Sequence, residues 1–476
     1  MSQPDVRDAY SVQQVRAAEE RSMAHAPPDA LMQRAAAGLA TACVDLLGGV
    51  YGRRILVLAG SGNNGGDALF AGARLALRGA QVEAVLLSPD AVHRPGLAAL
   101  RAAGGQVIPH VGAGAPSGDL VLDGIVGIGA TGGLRADADA AWQRARQWAD
   151  WVVAVDVPSG IGVDDGVVKG ATVVADLTVT FGAYKIGLLV GDGSRRAGAV
   201  QLVDIGIGPY LPEPTVRVLS PAEVAELLSA AVPGPNDHKY TRGVVGVAAG
   251  SAQYTGAGLL AVAGASCGVA GMVRYDGAAE VADLVRMQHP EVVLGAGQVQ
   301  CWVVGSGGGG DAAAVLDRAR GDGVPLVVDA DALQSVTRPL GVPALLTPHA
   351  GELGRLMDVE RADVERDPLR WATEAASRFE ATVLLKGRRT VIAGESGVFV
   401  NTTGIPWLGT AGAGDVLAGL LGALVASMPG PLLPVAAVGA WLHGAAATYA
   451  SQGGPITAGD VATALPTVIA DVLAGE

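Results

Sequence analysis

The 476-residue chain has few cysteines, few aromatic residues and a deficit of positive charge. Its three cysteines, Cys43, Cys267 and Cys301, form no C-x-x-C pair, which argues against a disulfide framework or zinc site and fits a reducing cytoplasm. The seven histidines form no H-x-H or H-E-x-x-H pair, which disfavours a transition-metal site. Lys and Arg total 33 against 46 Asp and Glu, so nucleic-acid binding is a poor prediction.

Long apolar runs are also missing. Residues 1–27 carry charges throughout and lack the apolar core of a secretory signal. The most membrane-like stretch, residues 416–428, is too short to span a bilayer. We therefore expect a buried helix there, no membrane association, and a cytoplasmic protein.

The pattern that is present predicts two α/β domains. Apolar, β-branched runs at 54–59, 82–88, 119–127 and 151–160 alternate with Ala-rich helical runs, which is typical of parallel βαβ units in a doubly wound sheet. Prolines cluster at 205–223, and a second series of strands and helices follows. We place the domains at 1–215 and 220–476 and expect functional residues at the carboxyl ends of strands.

The first strand is followed by Gly60, Gly62 and Gly65, which satisfy G-x-G-x-x-G. A dinucleotide site of the ordinary dehydrogenase type also needs an acid about twenty residues later, at the end of the second strand. Glu83 is the only acid there and lies near the start of that strand. An ordinary NAD-dependent dehydrogenase is therefore disfavoured.

The polar segment "NNGGD", Asn63–Asp67, occupies this strand–helix turn. Two later strand ends carry matching oxygen atoms, on Asp123 and on Asp156 and Ser159. Amide, carboxylate and hydroxyl oxygens are hard ligands suited to an alkali or alkaline-earth cation. These residues could equally cap helices, and the spacing alone leaves both interpretations open.

The ordered motifs "GSGNNGGDA", "DGIVGIG", "DVPSG" and "FGAYKIGLL" resemble the N-terminal domain of the bifunctional NAD(P)H-hydrate repair enzymes, the NAD(P)HX epimerases, over residues 10–205. The resemblance implies a Rossmann-like fold that interconverts the R and S forms of hydrated NADH or NADPH (NADHX or NADPHX). It implies potassium ligands at Asn64, Asp123 and Ser159. The hydrate-binding residues that it implies are Asn63, Asn64, Gly65, Gly66, Asp67, Gly127, Ile128, Gly129, Ala130, Thr131, Gly132, Gly133 and Asp156.

Epimerisation of a hemiaminal carbon requires loss and return of hydroxide, or ring opening, and a carboxylate that moves protons assists both. Asp156 is our catalytic candidate, and Lys185 is a second, weaker one. Ala68 stands where the family is expected to prefer glycine, which affects no ligand.

The segment "GTAGAGDVLAG", residues 409–419, dominates the second domain. Gly412 and Gly414 at the start of an apolar helix expose backbone N–H groups to an anion. Asp415 follows, placed to take a proton from a hydroxyl that attacks a phosphate. No G-x-x-x-x-G-K-[ST] occurs, so the site is not a P-loop. The alternative is a glycine-rich turn in which Asp415 is the N-cap.

Other predicted strand ends carry polar groups. Lys386–Thr390 offers cationic and hydroxyl donors for phosphates, and "TPHAGE" places His349 and Glu352 at the mouth of another strand. Asp329 and Asp331 could bind Mg²⁺ or cap a helix.

Together these motifs resemble the ADP- or ATP-dependent NAD(P)H-hydrate dehydratase domain, over about residues 235–475. The resemblance implies a ribokinase-like α/β fold that phosphorylates the hydrate and then eliminates phosphate. Ser306 and Gly308 stand where Pro and Leu are expected, and we expect a looser loop there. Asp415 would be the catalytic base. The hydrate-binding residues implied are Ala257, Gly307, His349 and Asp415, and the nucleotide-binding residues are Lys386, Gly387, Arg388, Arg389, Thr390 and Gly414.

The sequence thus predicts a bifunctional enzyme that epimerises R- and S-NAD(P)HX and dehydrates the S form with ADP to NAD(P)H, AMP and phosphate. We expect K⁺ in the epimerase domain, Mg²⁺ with the nucleotide, small-molecule partners only, and a homo-oligomer. Two alternatives stay open. One is a ribokinase-like kinase of a vitamin precursor; the other makes the first domain a non-catalytic nucleotide-binding module.

Overall fold

A computed structural model of the chain describes residues 8–110, 117–129 and 132–475. The chain forms two compact units, Asp8–Val216 and a second unit that begins at Arg217. Two of the predicted hydrate-binding residues, Ala130 and Thr131, lie outside the described residues.

The first unit alternates strands and helices. In chain order they are β1 (Ala9–Tyr10), α1 (Val12–Met23), α2 (Ala30–Leu47), β2 (Arg54–Ala59), α3 (Asn63–Ala76), β3 (Gln81–Leu86), α4 (Arg94–Ala102), β4 (Gln106–Val107), β5 (Gly118–Gly124), α5 (Ala136–Arg146), β6 (Ala149–Val155), β7 (Leu177–Phe181), β8 (Tyr184–Lys185), α6 (Gly193–Arg196) and β9 (Ala199–Val203).

Seven of these strands form one sheet in the order β4-β3-β2-β5-β6-β7-β9, and every pair is parallel. Apolar side chains from α2 and α3 cover one face, and Trp142 of α5 lies in the core on the other. The predicted Rossmann-like doubly wound sheet is confirmed. The strand order reverses between β2 and β5, where such sheets open a ligand crevice.

Strand β2 spans the predicted residues 54–59, but the last predicted strand is shorter than expected. Strand β6 ends at Val155, because Asp156 adopts the left-handed conformation with φ of 68° and turns the chain. Glu83 is the third residue of β3, beside Leu56, so it does not stand at the end of that strand.

The second unit has the following strands and helices: α7 (Pro221–Leu228), β10 (Val244–Ala248), α8 (Thr255–Ala265), β11 (Met272–Tyr275), α9 (Ala279–Gln288), β12 (Val293–Leu294), β13 (Cys301–Val304), α10 (Ala312–Gly321), β14 (Leu326–Val328), α11 (Ala330–Leu333), β15 (Ala344–Leu346), α12 (Ala350–Met357), α13 (Arg361–Arg366), α14 (Pro368–Phe379), β16 (Thr382–Leu385), β17 (Thr390–Gly394), β18 (Gly397–Asn401), α15 (Ala413–Ser427), α16 (Leu432–Ser451) and α17 (Ala458–Ala474).

Its nine-stranded sheet has the order β12-β11-β10-β13-β14-β15-β16-β17-β18. The strands are parallel as far as β16, and β17 and β18 add an antiparallel edge. This is the predicted ribokinase-like α/β architecture. The order reverses between β10 and β13, which again predicts a crevice at the carboxyl ends.

Helix α15 is the buried helix expected from the apolar run, and it crosses α8 at close range. A Cβ at Gly264 would overlap the carbonyl oxygen of Val416, and one at Gly419 would overlap that of Ala261. The crossing fixes the position of the α15 N-terminus. Helices α2 and α16 are long and apolar enough to cross a membrane, but core helices of soluble proteins pass the same test, so neither supports a membrane assignment.

Candidate active sites

A cavity of about 730 Å³ opens at the carboxyl ends of β2, β5 and β6 in the first unit. Helix α1 contributes Arg16 and Glu19 to its wall. Seven predicted hydrate-binding residues also line it: Asn63, Asn64, Asp67, Gly127, Ile128, Gly129 and Asp156.

The Asn63–Asp67 segment forms the first turn of α3, and its side chains do not cap the helix. The N-cap position is Gly62, which makes no side-chain bond. Within the described residues, Asn64 Nδ2 and Asp67 Oδ1 are buried without a hydrogen-bond partner. Burial, followed by the neighbouring carboxylates of Asp156 and Glu19, raises the pKa of Asp67 well above its usual range. Buried polar atoms without partners indicate a place for a ligand.

The glycines of this segment are required for space, because a side chain at either position would overlap neighbouring atoms. A Cβ at Gly65 would overlap the carbonyl oxygen of Gly60, and one at Gly66 would crowd the ring of His93. Residues 132–133 line smaller cavities beside the main one. Gly65, Gly66 and residues 132–133 therefore shape the wall.

Asp156 is held in one orientation by three donors. Its Oδ1 accepts hydrogen bonds from Lys185 Nζ at 2.5 Å, Thr180 Oγ1 at 3.1 Å and the Phe181 N–H at 3.2 Å. Lys185 is 1% exposed and also donates to Thr180 Oγ1 and to the carbonyl of Phe181. A left-handed aspartate, paired with a buried lysine, is the kind of strained arrangement found at functional sites.

Asp123 and Ser159 form a second pair of buried polar side chains. Asp123 Oδ1 accepts from Ser159 Oγ at 2.7 Å, and Oδ2 accepts from the Ser159 N–H at 2.8 Å. Burial raises the pKa of Asp123 to about 6, against the opposing effect of hydrogen bonds from Ser159 and the Ile125 N–H. Asp123 lies within β5, so it is not a helix cap.

Two predicted potassium ligands, Asn64 and Ser159, lie beside residues 126–127, and Ser159 also contacts the third, Asp123. The Val126 N–H donates to Ser159 Oγ at 3.0 Å, and a Cβ at Gly127 would lie 3.2 Å from Asn64 Oδ1. No cluster of three or more His, Cys, Asp or Glu occurs among the residues that the structure describes. One carboxylate with an amide and a hydroxyl oxygen fits a hard cation of low charge such as K⁺.

The second crevice is built around the N-terminus of α15. Gly412, with φ of 87°, is the N-cap, and Asp415 is the third helical residue. Asp415 is therefore not the N-cap. Burial and the nearby Asp329 raise the pKa of Asp415 to about 6, while Ser306 and Lys386 lower it.

Lys386 lies over this helix end. A Cβ at Gly414 would be 3.4 Å from Lys386 Nζ, which pairs with Asp329 Oδ1 at 2.7 Å and lies 3.9 Å from Glu352 Oε2. Burial lowers the pKa of Lys386, but the carboxylates of Asp329, Glu352 and Asp415 outweigh burial and raise it. The amine is thus held as a cation at the predicted anion site.

Asp329 is committed to the protein. It accepts hydrogen bonds from Ser306 Oγ at 3.0 Å and Thr347 Oγ1 at 2.8 Å in addition to the Lys386 ion pair, and it caps no helix through its side chain. Asp331 accepts from the Gly309 N–H at 2.9 Å. Ser306, at the position where a looser loop is expected, is fully buried and donates a hydrogen bond to Asp329.

His349 has a structural role as the N-cap of α12. Its Nδ1 accepts from the N–H groups of Gly351 and Glu352, and Glu352 Oε2 accepts from the His349 N–H. Burial lowers the pKa of His349. The residue also lines an open cavity of about 730 Å³ together with Arg355 and Arg361.

The remaining predicted binding residues of the second unit lie in two places. Gly307, with φ of 58°, packs against Ala257, so these two are brought together. Gly387 and Arg388 lie in the turn between β16 and β17, and Thr390 begins β17. Arg389 Nη1 donates to the carbonyl of Thr402 at 2.9 Å, which ties it to a neighbouring loop.

Two charged or polar residues at the sites escaped sequence reasoning. Glu19 reaches the first cavity from α1. His443 in α16 is buried, hydrogen-bonds with the Ala413 backbone, and has a pKa that burial lowers to about 4. The sequence signal that could have identified both residues is a charged or imidazole side chain on an otherwise apolar face of a predicted helix.

Fold and sites together define a two-domain α/β enzyme with a Rossmann-like unit and a ribokinase-like unit, each with an aspartate and a lysine at the carboxyl ends of its parallel strands. The family described as YjeF-related protein N-terminus matches residues 28–187, and the family described as NAD(P)H-hydrate dehydratase matches residues 245–467. The chain belongs to the bifunctional NAD(P)H-hydrate repair enzymes, which combine an epimerase and a dehydratase.

Three known proteins illustrate the similarity. The bifunctional NAD(P)H-hydrate repair enzyme of Mycobacterium leprae is 43% identical over 98% of each chain. An NAD(P)H-hydrate epimerase of Microbacterium testaceum is 47% identical over 43% of this chain and 80% of its own. The ADP/ATP-dependent NAD(P)H-hydrate dehydratase of Bacillus subtilis, crystallised with ATP and Mg²⁺, is 26% identical, with a TM-score of 0.48 over 52% of this chain and 97% of its own.

Proposed function

We propose that this chain repairs hydrated NADH and NADPH in two steps. An epimerase domain at 1–215 interconverts R- and S-NAD(P)HX, and a dehydratase domain at 220–476 converts the S form and ADP to NAD(P)H, AMP and phosphate. The observation that carries the proposal is that each unit holds a carboxylate in contact with, or close to, a lysine at the carboxyl ends of its strands. Asp156 contacts the buried Lys185, and Asp415 lies near the partly buried Lys386.

In the epimerase, Asp156 is the group that moves the proton of the hydrate hydroxyl. An ammonium has three donors, and those of Lys185 have three acceptors: Asp156, Thr180 and the carbonyl of Phe181. Lys185 is therefore a positioning residue, which holds Asp156 in one orientation. Asn63, Asn64 and Asp67, with the Gly127–Gly133 segment, would hold the hydrate.

Asn64, Asp123 and Ser159 would hold the potassium ion. A bound cation supplies positive charge beside the buried Asp123 carboxylate, whose ionised form burial otherwise disfavours. Replacing K⁺ with N-methylglucamine at constant ionic strength is expected to slow epimerisation of the R form. An unchanged rate would remove potassium from the account.

In the dehydratase, Asp415 takes the proton of the hydrate hydroxyl as its oxygen bonds to the terminal phosphorus of ADP and the bond to AMP breaks. Phosphate then leaves the ring carbon, a proton leaves the adjacent carbon, and the double bond of NAD(P)H forms. Gly414 N–H and Lys386 bind the phosphates. Ala257, Gly307 and His349 would contact the hydrate, and residues Lys386–Thr390 the nucleotide.

Mg²⁺ neutralises phosphate charge in such reactions. Asp329 is already bound to Lys386, Ser306 and Thr347, so it does not fit as a metal ligand. The ion would enter with the nucleotide phosphates and keep most of its waters.

Product analysis tests the proposal against the vitamin-kinase alternative. With S-NADHX, ADP and Mg²⁺, chromatography and ³¹P NMR are expected to show NADH, AMP and free phosphate in equal amounts. A stable phosphorylated product from a hydroxymethyl or hydroxyethyl substrate, with no NADH from the hydrate, would favour the kinase.

We also propose where the protein is located, what it binds and that it forms an oligomer. A net charge of −13 and three buried free cysteines support a cytoplasmic protein that binds small molecules and neither nucleic acid nor membrane. The ADP preference and a homo-oligomeric state rest on the family resemblance. Light scattering tests the latter, and a monomer would contradict it.

A further inference from the structure

Helix α1 carries a carboxylate on its inner face. Val15, Ala18 and Ser22 are buried at a spacing of three and four residues, and Glu19 follows Val15 by four. Glu19 therefore shares the face that packs inward. Its side chain lines the 730 Å³ cavity that also contains Asp156. A charged group at such a position is costly unless it has a function or a partner.

Charged groups from several elements surround Glu19. Lys185 of β8, Asp156 after β6, Asp67 of α3 and Arg16 of α1 itself all act on it electrostatically. Burial and Asp156 raise the pKa of Glu19, while Lys185 and Arg16 oppose the change. The pKa of Glu19 is thus shifted towards the protonated form, whereas Asp156 forms an ion pair with Lys185.

Epimerisation by expulsion and return of hydroxide needs two proton-transfer groups. The R and S forms carry their hydroxyl on opposite faces of the ring, so one group must protonate the hydroxyl that leaves and another must deprotonate the water that adds. Asp156 supplies one group. Each donor of Lys185 already has an acceptor, and Asp67 lies on α3 among the residues proposed to hold the hydrate. Glu19 is only partly buried and comes from a different element.

We propose that Glu19 is the second acid–base residue of the epimerase, a role that rests on the proposed function. The ring nitrogen lone pair forms a C=N bond as the C–O bond breaks, and the Glu19 proton converts the departing hydroxide to water. A water molecule then adds to the other face and gives its proton to Asp156. The reverse reaction swaps the two roles, and exchange with solvent resets both groups.

The test compares Glu19→Gln with Glu20→Gln in the full-length chain. Glu20 is the next residue of α1 and is exposed, so it is a matched control. Chromatography follows the R form at several pH values. Glu19→Gln is expected to lower kcat for epimerisation by about 10²–10⁴-fold with little change in KM. It should also abolish the pH limb set by Glu19 and leave dehydration of the S form unchanged.

A rescue experiment separates chemistry from folding. Added formate is expected to restore part of the rate to Glu19→Ala, which leaves space for it, and none to Glu19→Gln. An epimerisation rate for Glu19→Gln within threefold of that for Glu20→Gln would overturn the inference, and so would a slow Glu19→Ala that formate does not accelerate. A wild-type chain no faster than the spontaneous rate would instead overturn the proposed function itself.

Discussion

At the scale of single residues, each of the two sites pairs an aspartate with a lysine, but the contact between them differs. Each has an aspartate at the carboxyl end of a parallel sheet and a nearby lysine, which is buried in the first unit and partly buried in the second. Lys185 binds Asp156 directly, whereas Lys386 binds Asp329 and acts on Asp415 from nearby. The first aspartate is thus oriented by an ion pair, and burial raises the pKa of the second to about 6, within the range in which a general base works.

Asp156→Asn removes the proposed proton acceptor without changing side-chain size. We expect the enzyme-catalysed epimerisation of R-NADHX to fall by about 10²–10⁴-fold. Dehydration of the S form should continue at the wild-type rate. Asp150→Asn, an exposed position on β6, is the control. Equal epimerisation rates for the two variants would show that the first domain does not use Asp156.

The pH dependence of dehydration follows from Asp415. The base form is needed, and its pKa is raised to about 6, so kcat/KM for S-NADHX should be constant above that pH and fall tenfold per pH unit below it. Asp415→Asn should abolish dehydration and spare epimerisation. A kcat/KM that stays flat down to pH 5 would exclude Asp415 as the base.

At the scale of elements, sequence periodicity predicted the sheets and the buried helix well. Runs of β-branched residues that end in Gly, Pro or Asp marked β2 and β5, and the apolar run marked α15. Seven of the hydrate-binding residues predicted near strand ends line one cavity. Glu19 and His443 escaped because they lie on helices, where only the packing of the fold shows which face points to a site.

The α8–α15 crossing has a specific requirement for glycine. Gly264→Ala would place a methyl group on the carbonyl oxygen of Val416, a backbone atom that cannot turn away. We expect it to destabilise the second unit by about 1–3 kcal/mol or more. Gly256→Ala, on the same helix with open space at its Cβ, should be neutral or stabilising by up to about 1 kcal/mol.

The urea midpoint for loss of dehydratase activity measures both effects. Gly264→Ala should shift it to lower urea, and Gly256→Ala should not. Equal midpoints for the two variants would contradict the close crossing of α8 and α15.

At the scale of the whole molecule, a boundary between the two units falls between Val216 and Arg217. Val216 pairs with Ala9 of the first unit, and Arg217 exchanges backbone hydrogen bonds with Val398 and Val400 of the second. The backbone hydrogen bonds therefore switch from a strand of the first unit to a strand of the second between Val216 and Arg217. The proline cluster predicted a boundary in this region, but pairing over such sequence distances cannot be inferred from local patterns.

Separate expression of 1–216 and 217–476 tests this division. We expect the first fragment to epimerise R-NADHX without nucleotide and the second to dehydrate only the S form. Mixing the fragments should restore conversion of both epimers. Fragments that are soluble but inactive, alone and mixed, would mean that neither active site is complete within its unit.

The most direct test of the whole account is recovery of absorbance at 340 nm. The full-length protein is added with ADP and Mg²⁺ to a mixture of R- and S-NADHX, and ATP replaces ADP in a parallel sample. We predict rapid recovery of both epimers as NADH with ADP. Recovery of the S share alone, with the R form decaying at its spontaneous rate, would contradict the epimerase, and no recovery with either nucleotide would contradict the repair function.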